Sequence, residues 1–375
     1  MDGLIAIQFS KENFGLESNK LIGYAGSILK INLSNGKVSK KPLEKRLTEF
    51  LGGRCLAAKI LFHELLPHID PLGPENKLIF GTGPLTGAGV PSGNRYLIAT
   101  KSPQTGFFLD TYAGGHFGPE IKYAGYDFII IEGIAKEPSY LAIDDDTVEI
   151  KRCPSIWGLD CREAEKALKE EFGDETARVA VIGPAGEHLV NFSLISNDYF
   201  HQCGRGGAGA VMGSKKLKGI IIRGDKGIKL ADPDGLLKYL EGELDWKLKE
   251  GPSADLVKNI KYHTPGTVEI CQELGLLPTY NFRQGLFEKA SEIGGHAMRE
   301  KIVMADKACY SCNTPCNKFS VLNKEVYRNS KIGGPEYETI ALLGSNLGLD
   351  DIEDIAYANI LCDKLGLDTI STGFL

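Results

Sequence analysis

Cys309, Cys312 and Cys316 lie within eight consecutive positions in the spacing Cys-x2-Cys-x3-Cys, with Pro315 stiffening the turn before the last of them. Thiolates this close in one chain can converge on a single metal centre, and both iron–sulfur clusters and structural zinc use such runs. Either centre needs a fourth ligand; for zinc, His296 or Cys271 stand available in principle. An iron–sulfur cluster is the preferred reading. The other six cysteines, Cys55, Cys153, Cys161, Cys203, Cys271 and Cys362, are scattered and are expected to act as small buried hydrophobes.

Two arginines border glycine-rich runs. Arg95 closes the run 81–95, and Arg205 lies inside Gly204-Arg205-Gly206-Gly207-Ala208-Gly209. Guanidinium forks pair with phosphate oxygens, and glycine backbones bring N–H donors to the same anion. The second run also fits Gly-x-Gly-x-x-Gly, but a polar stretch precedes it where a dinucleotide site needs a buried strand. Gly334-Pro335-Glu336-Tyr337-Glu338 sets two carboxylates at the start of a helix, either to complement its dipole or to move a proton near a redox centre. Asp363-Lys364-Leu365-Gly366-Leu367-Asp368 reads as a helix C-cap with an aspartate beyond it.

The elements that must position these residues divide the chain. Ser27 to Leu33 followed by Asn35-Gly36 predicts a β-hairpin with positive φ at both turn centres. Leu43 to Leu66 carries helical spacing interrupted at Gly52-Gly53. Short apolar strands (77–80, 96–100, 107–109, 128–131, 140–143, 148–150, 179–182 and 219–223) alternate with glycine loops, and Cys161 to Phe172 reads as an amphipathic helix ended by Gly173. Asp232-Pro233 marks a helix start, and helical patterns dominate thereafter: 234–250, 267–274, 334–347 and 352–365. The expected fold is therefore α+β. A β-rich domain over 1–230, presenting one site from several loops, precedes a mainly α-helical domain over 231–375 that carries the cysteines.

Composition narrows the function. With 42% apolar and 25% charged residues the chain is an ordinary globular one, and its net charge of −6 argues against nucleic acid as a partner. No apolar stretch is long enough for a membrane span. Met1-Asp2-Gly3-Leu4-Ile5 does not read as a signal peptide, so a cytoplasmic location is expected and a disulfide scaffold is not.

Several motifs occur together in one order: Gly83-Pro84-Leu85-Thr86-Gly87, Lys122-Tyr123-Ala124-Gly125-Tyr126-Asp127, Ile182-Gly183-Pro184-Ala185-Gly186-Glu187, the run from Gly204, Cys309 to Cys316, Gly334-Pro335-Glu336-Tyr337-Glu338, and Cys362-Asp363 through Asp368-Thr369-Ile370-Ser371. From about Tyr24 onward the chain resembles the tungsten-containing aldehyde:ferredoxin oxidoreductase family. The resemblance implies paired β-sheets forming a cofactor base. It further implies a tungsten or molybdenum bis-pyranopterin, a [4Fe–4S] cluster on Cys309, Cys312 and Cys316, and magnesium bridging the pterin phosphates. Aldehydes would be oxidised to carboxylic acids, with electrons leaving to ferredoxin or a similar carrier.

By position, the resemblance puts Arg95 between cluster and pterin, and Ala113, Gly114, Gly204 and Arg205 along pterin and phosphate, with Gln202 beside them. Asp363 and Asp368 would form a pterin motif, and Glu338 would be the active-site carboxylate. Tyr112 and His201 stand where the family pattern has Asn and Arg, and Tyr357 replaces a glutamate that bridges subunits in some members. By the same comparison the chain stops at Leu375 inside the middle helical domain, before the second pterin motif, the fourth cysteine and a catalytic histidine region. The expectation is a fragment, or a chain completed by a second polypeptide, possible also as a homo-oligomer. The alternatives are a non-catalytic cofactor-binding remnant and a same-family subunit that reduces aromatic thioesters.

Overall fold

The computed structural model describes residues 21–244, 249–251 and 259–375. Its first half contains twelve strands: β1 (Ser27–Asn32), β2 (Lys37–Pro42), β3 (Leu78–Gly81), β4 (Tyr96–Lys101), β5 (Phe108–Ala113), β6 (Phe128–Glu132), β7 (Ser139–Asp144), β8 (Thr147–Arg152), β9 (Arg178–Val181), β10 (Ile195–Asn197), β11 (His201–Cys203) and β12 (Leu217–Arg223). They form two 6-stranded sheets, ordered β2-β1-β6-β3-β4-β5 and β11-β10-β9-β12-β7-β8. Each sheet is mixed, with one parallel pair, β1 with β6 in the first and β7 with β12 in the second.

Two-sided burial explains the unbroken apolar run in β6. Ile129 and Ile131 face the space between the sheets, where they meet Leu29, Phe80, Ile143, Ile220 and Ile222. Their neighbours Phe128 and Ile130 turn the other way, as strand alternation requires, and pack under Leu56, Ile60 and Leu61 of helix α1 (Gly53–Glu64). The second sheet is covered likewise: Tyr140, Val179, Val181 and Ile221 pack on Ala164 and Leu168 of helix α3 (Cys161–Phe172). Helix α2 (Phe117–Tyr123) follows β5, and its Phe117 and Ile121 belong to the core between the sheets. The order through the domain is helix, sheet, sheet, helix. A full capping box at Asp160 and Glu163 starts α3, and Gly173 in the left-handed conformation ends it.

The second half has its own core, built from Ile293, Met298, Ile302, Ile340, Leu343, Ile352, Ile355 and Ile360 among others. Helices Thr267–Glu273 and Ile352–Leu365 match the predicted ones closely, and Gly295–Lys301 is a helix that the sequence patterns did not predict. Other expectations change. A 3-stranded antiparallel sheet, β13 (Val303–Lys307), β14 (Asn317–Val321) and β15 (Lys331–Gly333), interrupts the helices, and the cysteines occupy the loop joining β13 to β14. The expected helix over 334–347 begins only at Tyr337 and widens to a π-helix over Ile340–Ser345. That over 234–250 is α-helical to Lys238 and π-helical to Leu244, with 245–248 outside the described residues. The β1–β2 hairpin forms, but Asn32 pairs with Lys37 across a four-residue loop, and in the described turn only Gly36 takes positive φ. Cys55 is exposed on the solvent side of α1 and Cys271 is half-buried; the other four scattered cysteines are buried as expected. Among the described residues no helix is long and apolar enough to cross a membrane.

Candidate functional site

The cysteine loop docks on the first glycine run through backbone groups. Asn94, buried at 3% exposure, uses its amide twice. Its Oδ1 accepts from Gly87 N (2.8 Å), and its Nδ2 donates to Val90 O and Tyr310 O (3.0 Å each). Ser311 Oγ donates to Gly89 O at 3.1 Å, Tyr310 N to Gly115 O at 3.2 Å, and the Tyr310 hydroxyl meets that of Tyr123 at 2.8 Å. The fit is closest at Gly114, where a Cβ would lie 2.7 Å from Cys309 Sγ and 3.6 Å from His201 Nδ1. Only glycine fits there, because any side chain would displace the thiol. Behind it, Asn197 Nδ2 holds Gly114 O at 3.1 Å, and Asp198 Oδ2 accepts His116 N at 2.6 Å.

The three thiols are half-buried and feel one another electrostatically. Burial raises the pKa of Cys309, the Gly115 backbone and the Arg95 charge opposing it. Cys316 goes the other way: a hydrogen bond with His263 holds it below the usual thiol range. His263 is pushed up to about 9, first by that bond and then by Glu336, whose Oε2 lies 3.3 Å from its Nδ1. Burial favours neutral Glu336, yet bonds from His263 and Thr264 outweigh it and depress its pKa. Among the described residues no three His, Cys, Asp or Glu side chains are grouped to hold one metal ion. A cluster spreads its thiolates over several irons, and three thiols sharing one field beside a glycine cradle suit that donor set. His296 is bonded to Glu269 at 3.0 Å and Cys271 to Tyr337 at 3.2 Å, so both zinc candidates are engaged elsewhere.

From the cysteine loop, β11 leads to a second group of polar residues. Between His201, beside Gly114, and Arg205 the chain extends at most roughly 14 Å. Arg205 Nε reaches Asp368 Oδ2 at 3.4 Å. Asp368 is buried and caps helix Thr369–Phe374 by accepting Ile370 N (3.1 Å), Ser371 N (3.2 Å) and Ser371 Oγ (2.6 Å). Asp363, at 4% exposure, is pushed up to about 7 by desolvation, against opposing effects of Arg162 and Asn359. The connecting turn at Gly366, left-handed at φ 80°, lies against Gly183 and the β9–β10 connection, with Leu194 N donating to Gly366 O at 2.9 Å. Arg162 Nε and Nη2, Gln202 Nε2, Ser193 Oγ and Asp198 Oδ1 are buried without a hydrogen-bond partner among the described residues. Buried polar atoms left unpaired are costly, so this set fits a ligand rich in ring nitrogens, carbonyls and phosphate oxygens.

Not every predicted residue joins these groups. Ala113 is buried and Gly204 borders open space, but the Tyr112 side chain turns to the α1 face, where its hydroxyl bonds Asp110 (2.6 Å) and Arg54 (2.9 Å). Arg95 and Glu338 are exposed, and Arg95 acts on Cys309 and His201 by charge. A cleft of about 300 Å³ beside Ala308 is lined by His116, Glu165, Asp198, His201 and Lys307. Two larger clefts, about 790 and 660 Å³, lie on the α1 side of the first sheet and contain none of the predicted site residues. Sequence reasoning missed Asn94, Arg162, His263 and Thr264. Asn94 was findable, being the one amide beside Arg95 at the end of a glycine loop; His263 carries no local signal, since its partner Glu336 is 73 positions away.

Comparison with known proteins bears on the family and the fold. Residues 28–224 match "Aldehyde ferredoxin oxidoreductase, N-terminal domain", and 244–375 match "Aldehyde ferredoxin oxidoreductase, domains 2 & 3". A tungsten-containing aldehyde ferredoxin oxidoreductase of Pyrococcus abyssi is 44% identical over 94% of this chain and 57% of its own length. The WOR-like subunit of an aliphatic sulfonate oxidoreductase of Pyrococcus furiosus is 34% identical over 94% and 58%. Among solved structures, the active site complex BamBC of benzoyl coenzyme A reductase superposes with a TM-score of 0.79 at 27% identity, over 93% of this chain and 54% of that one. The chain thus spans a little over half the length of the relatives it matches. On fold, motif order and identity together, the chain belongs to the aldehyde ferredoxin oxidoreductase family.

Proposed function

We propose that this chain forms the cofactor base and cluster loop of an oxidoreductase that oxidises aldehydes to carboxylic acids and passes the electrons to ferredoxin or a similar carrier. The observation that carries the reading is the short path from Cys309, packed against Gly114, through β11 to the Arg205–Asp368 pair. It offers thiolates and anion-binding groups within one cofactor's reach. Cys309, Cys312 and Cys316 would hold a [4Fe–4S] cluster; Arg205, Gln202, Asp363 and Asp368 would hold a tungsten or molybdenum bis-pyranopterin, with magnesium on its phosphates. When bound, that cofactor supplies the two-electron chemistry at the aldehyde carbon. The chain's own part is to bind and orient it, Arg95 contributing positive charge between the two centres and Glu338 a carboxylate for proton movement. The division near residue 230, a further polypeptide completing the ligand set, self-association and a cytoplasmic site of action belong to the same proposal.

Metal analysis and dye reduction test the reading. Tungsten or molybdenum with roughly four irons per chain, and aldehyde-dependent reduction of a viologen dye by the complete protein, support it. Stoichiometric zinc without pterin fluorescence refutes it. A second reading, reduction of aromatic thioesters by a related subunit, draws support from the likeness to the benzoyl coenzyme A reductase complex. It predicts no turnover with aldehydes.

A further inference from the structure

The smaller of the two clefts on the α1 face, about 660 Å³, falls within the roughly 300–1,000 Å³ that small-molecule sites occupy. Helix α1 and the segment after it, Leu65 to Ile69, form one wall; Gly106, Phe107 and Phe108 at the β4–β5 turn form the other. Its apolar rim meets solvent, with Phe62, Leu66 and Phe107 82%, 74% and 76% exposed. Single exposed apolar residues are ordinary, but several around one cleft mark a binding surface. The charges there are of one sign. Lys59 belongs to the helix wall, Lys101 ends β4 on the hairpin side, His68 also lines the cleft, and no described aspartate or glutamate does. Neither lysine makes an ion pair among the described residues. The Lys59 ammonium lies 5.4 Å over the Phe50 ring, and Lys101 Nζ donates to Ile69 O at 2.7 Å with N–H groups to spare. In a chain of net charge −6, a cleft with cations and no anions is complementary to a negative ligand.

We propose that this cleft binds a free long-chain carboxylate, its alkyl chain between the apolar walls and its charged end at Lys59 and Lys101. The walls remove methylenes from water, and ammonium groups on flexible stems serve a carboxylate as point charges. No arginine lines the cleft, so the planar fork suited to phosphate is missing. Neither the three clustered cysteines nor Arg205 nor Asp368 lines it, so this site is separate from the proposed cofactor site and its test needs no cofactor.

Cys55 lines the cleft and is exposed, so it reports on occupancy. In the full chain, dodecanoate below its micellar concentration should bring a saturable loss of Cys55 alkylation by iodoacetamide, read by peptide mass spectrometry. From octanoate through decanoate to dodecanoate, the affinity from that protection should rise about two- to fourfold per methylene. Lys59→Glu should weaken dodecanoate about fivefold and leave dodecanol, which carries no charge, unchanged. Phe107→Ser, at an exposed position, should weaken both. Several outcomes overturn the proposal: unaltered Cys55 alkylation in dodecanoate, protection independent of chain length, or dodecanol binding as tightly as dodecanoate. So does protection by phosphatidylglycerol vesicles with none by dodecanoate, which would make the face a membrane contact. None of these results touches the cluster or cofactor reading, which metal analysis tests separately.

Discussion

Replacing Asp363 by Asn should stabilise the chain free of cofactor, by an amount that depends on pH. The Asp363 carboxyl is 4% exposed; it accepts from Asn359 Nδ2 at 3.1 Å, and Arg162 Nη2 stands 3.9 Å away. Desolvation dominates these contacts and moves its pKa from 3.8 to about 7. Between those two values the folded chain binds more protons than the unfolded one, so stability falls as pH rises through the window. Below pH 3.8 the penalty is absent, and above pH 7 it is complete. A shift of about three units at 1.36 kcal/mol each bounds it at about 4 kcal/mol. Asparagine carries no charge to desolvate and can still accept from Asn359. Urea unfolding of both chains should therefore show the variant about 2–4 kcal/mol more stable at pH 8, with the gap closing toward pH 4. A gap that does not change with pH, or a variant less stable at pH 8, refutes the argument. If the carboxylate is kept for a cofactor, the same variant should retain less pterin in the complete protein.

The remaining predictions concern the cysteine loop and the frame. In the metal-free chain at pH 7, iodoacetamide should alkylate Cys316 faster than Cys309, because His263 lowers one thiol's pKa and burial raises the other's; peptide mass spectrometry reads the order, and His263→Leu should narrow the difference. Gly114→Ala should reduce the iron bound per chain after reconstitution while leaving the circular dichroism unchanged, since its Cβ would stand 2.7 Å from Cys309 Sγ. Asp160→Ala removes acceptors for Arg162 N and Glu163 N, both at 2.9 Å, and should cost about 0.5–2 kcal/mol in urea unfolding.

Local chemistry and local order were legible in the sequence. Cys-x2-Cys-x3-Cys needs only three nearby positions to declare itself, and Asp232-Pro233, Gly173 and Gly366 mark helix ends through backbone preferences that any context respects. Alternating strands and glycine loops likewise revealed a β-rich region before a helical one, because burial imposes its period on the residues themselves. What tertiary structure decided were the partnerships across long separations. Lys122 and Asp127 look like two charged residues of one motif; only the fold shows them at 2.7 Å, buried together, with Asp127 also accepting Ala25 N and Gly26 N. The sequence could not reveal that Tyr112 turns away from the cysteines while Gly114, two residues on, touches one, since that depends on the chain leaving the sheet after Ala113, the last residue of β5. Nor could it reveal that the cysteine loop joins two strands within a helical region. His263 is the extreme case. Its 3.3 Å contact with Glu336 spans 73 residues and leaves no periodicity and no spacing, so only the packed chain discloses it.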